Sequence, residues 1–584
     1  MNVALTNKLS CVFNHQSIDE QYDIFQISTS DKYIARGARA LDTPTESLKA
    51  VSLVFDYGRS AFVAFYKRNL VLQSTLLKSM ADDKLSVKKV SSFEVKDYVL
   101  IRLFIYSLAN YTSDENMFNN IGGKLFLTTP FWKSKNGKNI KALEINVGRD
   151  MCLTASVTTF TSISVFKDKK SKALLELPRY VLSANGKFRR MLDSDEIKDV
   201  YVNKGIPGKK AELPFLDLKN DTLRMCRSYF MNRIVETLNG RFSAFLSVSF
   251  SNIEIGNKVI ERRDTDFIDK SIDCFSNHGV YLTSKMDDGA YEDDIQSLKS
   301  SLAESLGKKI NDSAVDKVND MEIVFLHNED YYQDKDDPYK KLSRDHVVQC
   351  VTLEDASSKI IANKKAVINT IFKEMTIKND ILRTHKITLD DWSSFGFGND
   401  WIFGEEKSGK KYFMVIHPDG TFEFERQEGF LGRYHNKILY ELSNRLDELD
   451  LKGKAIILDD KGNMNVISRT NLFCMPNPEI FRLNKVSRSE ESRNKYLSGI
   501  IDINLFNDNG ECFYSAGIVG YGMNTAISKA GLLYKVTVVE GKNVIESILE
   551  TMSVMFVKYN SFTVLPYPIK YLREYIKISG MDSK

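Results

Sequence analysis

Residues 338–378 read PYKKLSRDHVVQCVTLEDASSKIIANKKAVINTIFKEMTIK, and this stretch decides how the whole chain is interpreted. Its first half contains the apolar run His346–Leu353, which predicts a β-strand with Gln349 near its centre. Its second half predicts a helix, because apolar residues recur there at helical spacing. These residues are Ile360, Val367, Ile368, Ile371 and Phe372.

The predicted helix also carries a polar face. Lys365, Asn369 and Lys373 recur every fourth residue and therefore stack on one side of the helix, and Lys378 is expected just beyond its end. This face suits a polyanion. Two ordinary interpretations stay open at this point: a lysine-rich face is often only solvated, and a buried glutamine is often a hydrogen-bonded core amide.

The order of these residues resembles the MID domain of Argonaute proteins, in which they hold the 5′ phosphate of a guide strand. The shared features are a tyrosine and a lysine, then Gln-Cys, then Asn-x-x-x-Lys followed closely by another lysine. The resemblance implies a phosphate pocket made of Tyr339, Lys340 or Lys341, Gln349, Lys373 and Lys378. The segment between Tyr339 and Gln349 is shorter than in the family, and the interval from Lys373 to Lys378 is one residue longer.

The C-terminal segment supports the same resemblance. Residues 556–571 read FVKYNSFTVLPYPIKY, which is similar to the end of a PIWI domain. There a helix with an aromatic-Asn pair leads into Pro-x-Pro and a last helix. The two resemblances cover about the C-terminal two-fifths of the chain.

Composition limits the class of protein. The 584 residues suggest three or four domains, and 43% hydrophobic residues suffice for several cores. The net charge of +4 is too small for a uniformly basic coat, so any nucleic-acid binding must use local clusters. Besides the helix face with Lys365 and Asn369, the sequence offers one further basic cluster for a nucleic-acid backbone. It consists of Arg482, Lys485, Arg488, Arg493 and Lys495.

Scattered cysteines and histidines favour neither disulfides nor zinc sites. With no secretory signal and no apolar run long enough for a membrane helix, we expect a cytoplasmic protein with no membrane contact.

The pattern along the chain predicts an α/β multidomain protein. Residues 1–110 are expected to form an N-terminal α+β domain, and 111–218 a linker or reduced PAZ-like β region, because residues 142–166 alternate as antiparallel strands do. Strands alternating with helices over 219–388 predict a Rossmann-like MID domain with a largely parallel sheet. They include a helix over 295–306 that ends at Gly307 and a strand over 321–326. Hairpin strands over 389–584, including one around Asp419-Gly420, predict an RNase H-like PIWI domain, with helices expected over 434–451 and 544–557.

A nuclease site is not expected. Active PIWI domains bind two divalent ions with three or four converging acids. The candidates here are Asp419, Asp459, Asp460 and Asp502, but the first three lie in sequences typical of turns and only Asp502 lies in a strand-like run.

The resemblance therefore implies a catalytically inactive prokaryotic Argonaute, with no catalytic cofactor and with Mg²⁺ as an ion that could bridge the 5′ phosphate. Its expected partners are a short 5′-phosphorylated guide, DNA being favoured, and a complementary DNA target from a plasmid or phage. A helicase-nuclease effector would supply cleavage. The alternative is a guide-directed, divalent-metal endonuclease with divergent RNase H-type acids.

Overall fold

The architecture is given by a computed structural model. It describes residues 2–29, 41, 47–56, 61–79, 85–111, 116–134, 136–166, 177–183, 186–191, 200–205, 213–217, 225–261, 263, 275, 278–286, 291–314, 319–328, 331–332, 336–341, 346–427, 434–475, 500–516, 526–527, 530–554 and 565–580. Within these ranges, side chains are described except at 340–341, 354–366, 500–502, 504, 516, 526–527 and 580.

The described strands run in chain order as β1 Asn2–Phe13, β2 Tyr22–Thr29, β3 Ser52–Asp56, β4 Ala61–Lys67, β5 Leu85–Val90, β6 Met117–Ile121, β7 Lys124–Thr128, β8 Asn139–Val147, β9 Leu153–Ser162, β10 Arg179–Leu182, β11 Phe188–Arg190, β12 Val200–Asn203, β13 Leu216–Asp217, β14 Leu246–Glu261, β15 Val280–Ser284, β16 Met321–Leu326, β17 Val348–Thr352, β18 Trp401–Lys407, β19 Lys410–Ile416, β20 Phe422–Arg426, β21 Lys454–Leu458, β22 Met464–Phe473, β23 Ile500–Asp508, β24 Glu511–Ala516, β25 Ala526–Ile527 and β26 Leu532–Glu540.

The described α-helices are α1 His15–Gln21, α2 Gln73–Ser79, α3 Asp97–Ser107, α4 Arg227–Arg241, α5 Glu292–Leu306, α6 Leu353–Asn379, α7 Lys437–Glu441, α8 Ser443–Glu448, α9 Ile545–Glu550 and α10 Pro568–Gly580. No helix in these described ranges combines the length and the apolar character needed to cross a membrane.

The N-terminal region contains a four-stranded antiparallel sheet in the order β3-β4-β2-β5, with α3 buried beside it. Its β3 edge is covered by the β6–β7 hairpin. The Asn120 side chain accepts from Leu53 N–H at 2.8 Å and donates to Leu53 O at 2.9 Å. Gly123 has φ +69° and lies so close that an added Cβ would be 2.7 Å from Phe55 N. The sheet and the hairpin therefore fit tightly.

The next region is a seven-stranded antiparallel sheet in the order β11-β10-β12-β9-β8-β7-β6, which confirms the strands predicted over 142–166. The sheet curls until its two edge strands meet, where Asn119 Oδ1 in β6 accepts from Phe188 N–H in β11 at 2.6 Å. Aromatic rings fill the inside, with Phe160 stacked on Phe188 at 4.4 Å and Tyr180 and Tyr201 buried beside them. We call this closed sheet the barrel.

The predicted parallel sheet is confirmed as β15-β16-β17, three parallel strands. Helices α5 and α6 cover one face through leucines and isoleucines such as Leu298, Leu302 and Ile371. Gly307, at φ +62°, ends α5 where the sequence predicts its end. Helix α6 is longer than predicted: Lys378 lies in its last turn rather than beyond it, and a π-helical turn at Asp380–Thr384 continues the chain.

The largest sheet has ten strands in the order β1-β14-β23-β24-β26-β22-β21-β18-β19-β20, and its described pairs are all antiparallel. The hairpin around Asp419-Gly420 is confirmed as β19–β20. The sheet also includes β1 and β14, which belong to earlier predicted regions. The mixed α/β class with several sheets is therefore confirmed.

Two predicted helices are shorter in the structure. The helix expected over 434–451 is divided into α7 and α8, and the one expected over 544–557 is described only as α9. The Tyr559-Asn560 pair lies outside the described residues. The Pro-x-Pro segment leads into the last helix, α10, as the C-terminal pattern predicts.

Candidate phosphate-binding site

The structure brings together Gln349 and Lys378, two residues of the predicted phosphate pocket. Lys378 Nζ donates to Gln349 Oε1 at 2.8 Å and to Val348 O at 2.7 Å. Gln349 in turn donates from Nε2 to Cys350 O at 2.9 Å. The contact joins the last turn of α6 to the start of β17, and both side chains are partly buried.

Helix geometry separates Lys378 from the other predicted lysine. At 100° per residue, Lys378 lies about 140° around the axis of α6 from Lys373. Asn369 is partly buried, and its Oδ1 is a buried atom without a hydrogen-bond partner in the part of the chain that is described. Lys373 and Asn369 therefore stack on one side of α6, while Lys378 points to the sheet.

Three residues that the sequence analysis missed complete the surroundings of Lys378. They lie on α10, where Lys570, Glu574 and Lys577 follow one another at spacings of four and three residues. Glu574 accepts from Lys570 at 3.1 Å and from Lys577 at 2.5 Å, and Lys570 also pairs with Glu374 of α6 at 2.8 Å.

We call the group of Lys378, Lys570, Lys577, Glu374 and Glu574 the lysine–glutamate cluster. Its helical spacing on α10 was visible in the sequence as one charged face. What the sequence did not show was that α10 packs beside the end of α6.

Burial and neighbouring charges set the ionisation of this cluster. Burial lowers the pKa of Lys378, and the nearby Glu574 and Glu374 only partly offset that effect. Burial opposes ionisation of Glu574 as well, but Lys570 and Lys577 outweigh it and hold its pKa below the ordinary value. The cluster contains three lysines and two glutamates, so it has one positive charge in excess when all five are ionised.

A buried carboxyl fixes α10 against the end of α6. Asp380 accepts from Tyr571 Oη at 2.7 Å, from Thr388 N at 2.9 Å and from Thr388 Oγ1 at 2.8 Å. Burial raises the pKa of Asp380 to about 7, although these donors favour the carboxylate. This network holds the lysines of α10 in place beside Lys378.

The site lies at the opposite end of the sheet from the ligand sites that are usual in open α/β sheets. Ligands of open α/β sheets usually bind beyond the carboxyl ends of the strands. Gln349 is only the second residue of β17, so its contact with Lys378 is near the amino end.

Polar side chains also lie on the other face of the sheet. Tyr281 Oη contacts His346 Nε2 at 3.0 Å, and the same nitrogen contacts Glu322 Oε2 at 3.1 Å. Burial raises the pKa of Tyr281 to about 12.

The remaining predicted binding residues are not placed together with Lys378 by the described contacts. Tyr339 lies in a 3₁₀ turn and is 39% exposed. Lys340, Lys341 and Lys365 have described backbones only. The basic cluster of Arg482, Lys485, Arg488, Arg493 and Lys495 lies wholly outside the described residues.

Two of the candidate acids, Asp419 and Asp459, make local hydrogen bonds, as predicted for turns. Asp419 accepts from Thr421 N and Oγ1 at 3.0 and 2.6 Å. Asp459 is buried and accepts from Asn463 N and Nδ2 at 2.7 and 2.8 Å. Asp460 accepts from Gly398 N at 3.1 Å, and Asp502 lies in β23 with its side chain outside the described part.

Beside Lys378, the described residues show no unpaired carboxylates gathered for an Mg²⁺ ion. Mg²⁺ prefers carboxylate oxygens together with substrate phosphates. Glu374 and Glu574 are both paired with lysines, and the described residues include no group of three or more His, Cys, Asp or Glu side chains placed to hold a metal. Phosphate recognition is therefore derived from the lysines alone.

Comparison of the sequence with protein-family models and with curated proteins found no match. The geometry around Lys378 and the resemblance stated above are thus the two grounds for a functional proposal.

Proposed function

We propose that this protein is a guide-loaded nucleic-acid-binding protein that resembles catalytically inactive prokaryotic Argonautes. The parallel sheet with α5 and α6 would be its MID-like part, and strands β18–β26 with α10 its PIWI-like part. It would load a short 5′-phosphorylated guide, recognise complementary plasmid or phage DNA by base pairing, and recruit a helicase-nuclease in the cytoplasm.

The observation that carries the proposal is the contact between Lys378 and Gln349. An ammonium group has three N–H donors, and two of those of Lys378 meet Val348 O and Gln349 Oε1. The same contacts hold the side chain in one orientation, so the third donor has a fixed direction. A terminal phosphate placed there would gain a charge-assisted hydrogen bond and the excess positive charge of the lysine–glutamate cluster.

Gln349 and Lys577 would also take part in recognition of the phosphate. The half-exposed side chain of Lys577 stands on α10 near Lys378 and can reach a ligand from solvent. Gln349 holds Lys378 and offers no charge of its own, so its role is to position the lysine. Recognition of the phosphate would then combine one ordered cation with one exposed cation.

The proposal assigns cleavage to a partner. The oxygens of Asp419 and Asp459 are engaged by neighbouring turn donors, whereas a two-metal site needs them directed at a shared pair of cations. A separate effector would therefore cut the DNA.

Guide-directed cleavage is the test. Purified protein is loaded with a 5′-phosphorylated guide and mixed with a matched DNA target in Mg²⁺ or Mn²⁺. A filter assay should show that the protein binds the target, and a denaturing gel should show that the target is intact. Cleavage that requires the guide and disappears in Asp502→Ala or Asp460→Ala would establish the alternative, a guide-directed endonuclease. Asp450→Ala is a matched control, since that exposed acid is in a turn at the other end of β21.

A further inference from the structure

The barrel is far more basic than the chain as a whole. Residues 116–205 include 16 lysines and arginines and 8 acids, which gives this region a net charge of +8. The whole chain has a net charge of only +4. Positive charge is therefore concentrated on this region, which the proposed phosphate site does not involve.

Strand pairing places three of these cations, Lys138, Arg179 and Lys204, at one end of the barrel. Arg179 pairs with Val202, Val202 with Thr161, and Thr161 with Asn139, so one row crosses four adjacent strands. At about 4.8 Å per strand the row spans roughly 14 Å. Lys138 precedes Asn139, and Thr161 Oγ1 donates to Lys204 O at 2.6 Å.

An exposed aromatic ring stands at the same end. Lys133 forms an isolated antiparallel β-bridge with Ile140, which follows Asn139 in β8. Two residues earlier, Phe131 is 69% exposed, while its neighbour Trp132 is buried against Phe230 at 5.2 Å. We call Phe131, Lys133, Lys138, Arg179 and Lys204 the barrel rim.

Within the described part of the chain, the cations of the barrel rim have no acidic partner. Among the described residues, no acid lies within 4.0 Å of the charged groups of Lys133, Lys138, Arg179 or Lys204. Lys124, elsewhere on the barrel, differs because it pairs with Glu144 at 2.8 Å. Cations that no described acid neutralises, beside an exposed aromatic ring, favour an anionic partner that also offers flat rings.

We propose that the barrel rim binds single-stranded nucleic acid, with its cations on the phosphates and Phe131 stacked on a base. Basic grooves with aromatic platforms bind single strands in this way without reading sequence. The roughly 14 Å row matches a short run of nucleotides. An acidic protein segment would satisfy the cations but would leave Phe131 without a stacking partner.

The barrel rim should not recognise the end of a strand. End capture needs a cavity, and the inside of the barrel is filled by Phe160, Phe188, Tyr180 and Tyr201. Binding should therefore be the same for strands with a 3′ hydroxyl, a 3′ phosphate or no free end.

The test measures binding of 5′-hydroxyl oligodeoxythymidine, which removes any contribution of the proposed phosphate site. Phe131→Ala should weaken binding about fivefold to 160-fold, the range for loss of one stacked base. Lys133→Ala with Lys138→Ala should lower the slope of log affinity against log salt by about 1.4, since each phosphate contact on a single strand contributes about 0.7. Lys124→Ala, whose lysine is already paired, should change neither quantity.

Two results would overturn the proposal. In the first, Phe131→Ala and the double lysine variant bind the oligonucleotide as tightly as Lys124→Ala does, while circular dichroism shows that all three variants are folded. The other is equal competition by polyglutamate of the same charge, which would assign the surface to an acidic protein. A Lys378→Ala variant should keep this binding in full, so failure of the proposed phosphate site and failure of the barrel rim are distinguishable.

Discussion

Two basic regions in the described part of the molecule differ in how their charge is held. In the lysine–glutamate cluster, Lys378 is partly buried and hydrogen-bonded to Gln349, and two glutamates balance most of the charge. On the barrel rim, Lys133 and Lys138 are exposed and no described acid pairs with them.

The difference bears on what each region can recognise. An ordered cation with a fixed donor direction distinguishes a terminal phosphate dianion from the monoanionic phosphates inside a strand, because the extra charge and oxygens meet a matched group. Exposed cations gain affinity mainly from counterion release, which is the same for every phosphate. We therefore expect the cluster to supply end specificity and the barrel rim to supply general, salt-dependent binding.

The largest effect should come from removing the acid that balances the cluster. Glu574→Gln should lower the free energy of unfolding by about 3 kcal/mol, because Lys570 and Lys577 lose a buried partner. The same change should strengthen binding of a 5′-phosphorylated oligonucleotide by about threefold to tenfold, because one negative charge beside the phosphate is removed. Stability is measured by urea unfolding and affinity by fluorescence anisotropy.

Glu546→Gln is the matched control, since Glu546 pairs with Lys258 at 3.5 Å but is largely exposed. It should alter neither stability nor affinity beyond about 0.5 kcal/mol. If Glu574→Gln destabilised the fold and also weakened phosphate binding, the cluster would be only a structural ion-pair network.

A smaller effect should follow from pH. Burial lowers the pKa of Lys378 below the ordinary lysine value of 10.5, and phosphate binding needs its ammonium form. As pH rises through the lowered pKa, Lys378 should lose its charge while exposed lysines keep theirs. The preference for a 5′ phosphate over a 5′ hydroxyl should therefore decline before general binding does.

The affinities for a 5′-phosphorylated and a 5′-hydroxyl oligonucleotide, measured from about pH 7 to pH 10, report this decline. Lys378→Arg should keep its charge over the whole range and flatten the profile. A preference that falls in parallel with general binding, or that falls equally in the arginine variant, would mean that Lys378 does not contact the phosphate.

Local patterns in the sequence predicted a good part of this architecture. Apolar runs and helical spacing identified β16, β17, α5 and the β19–β20 hairpin, because these elements depend on neighbouring residues. The family resemblance predicted that Gln349 and Lys378 lie together. Their contact joins a strand to the helix that directly follows it in the chain.

Long-range arrangements could not be predicted in the same way. The pairing of β1 with β14, the closure of the barrel by Asn119 and the packing of α10 beside α6 all join distant residues. A charged helix face such as Lys570, Glu574 and Lys577 looks the same in sequence whether it meets water or another helix. Tertiary packing alone makes it part of a site.

The most direct test compares the affinity of the wild-type protein for two oligonucleotides that differ only in a 5′ phosphate, at one salt concentration. The Lys378→Ala variant is measured with the same two oligonucleotides. A charge-assisted contact of about 1.5–3 kcal/mol predicts a preference of roughly tenfold or more for the phosphorylated strand in the wild type. Lys378→Ala should abolish that preference and leave binding of the hydroxyl strand unchanged. Equal affinity of the wild type for both strands would contradict the account.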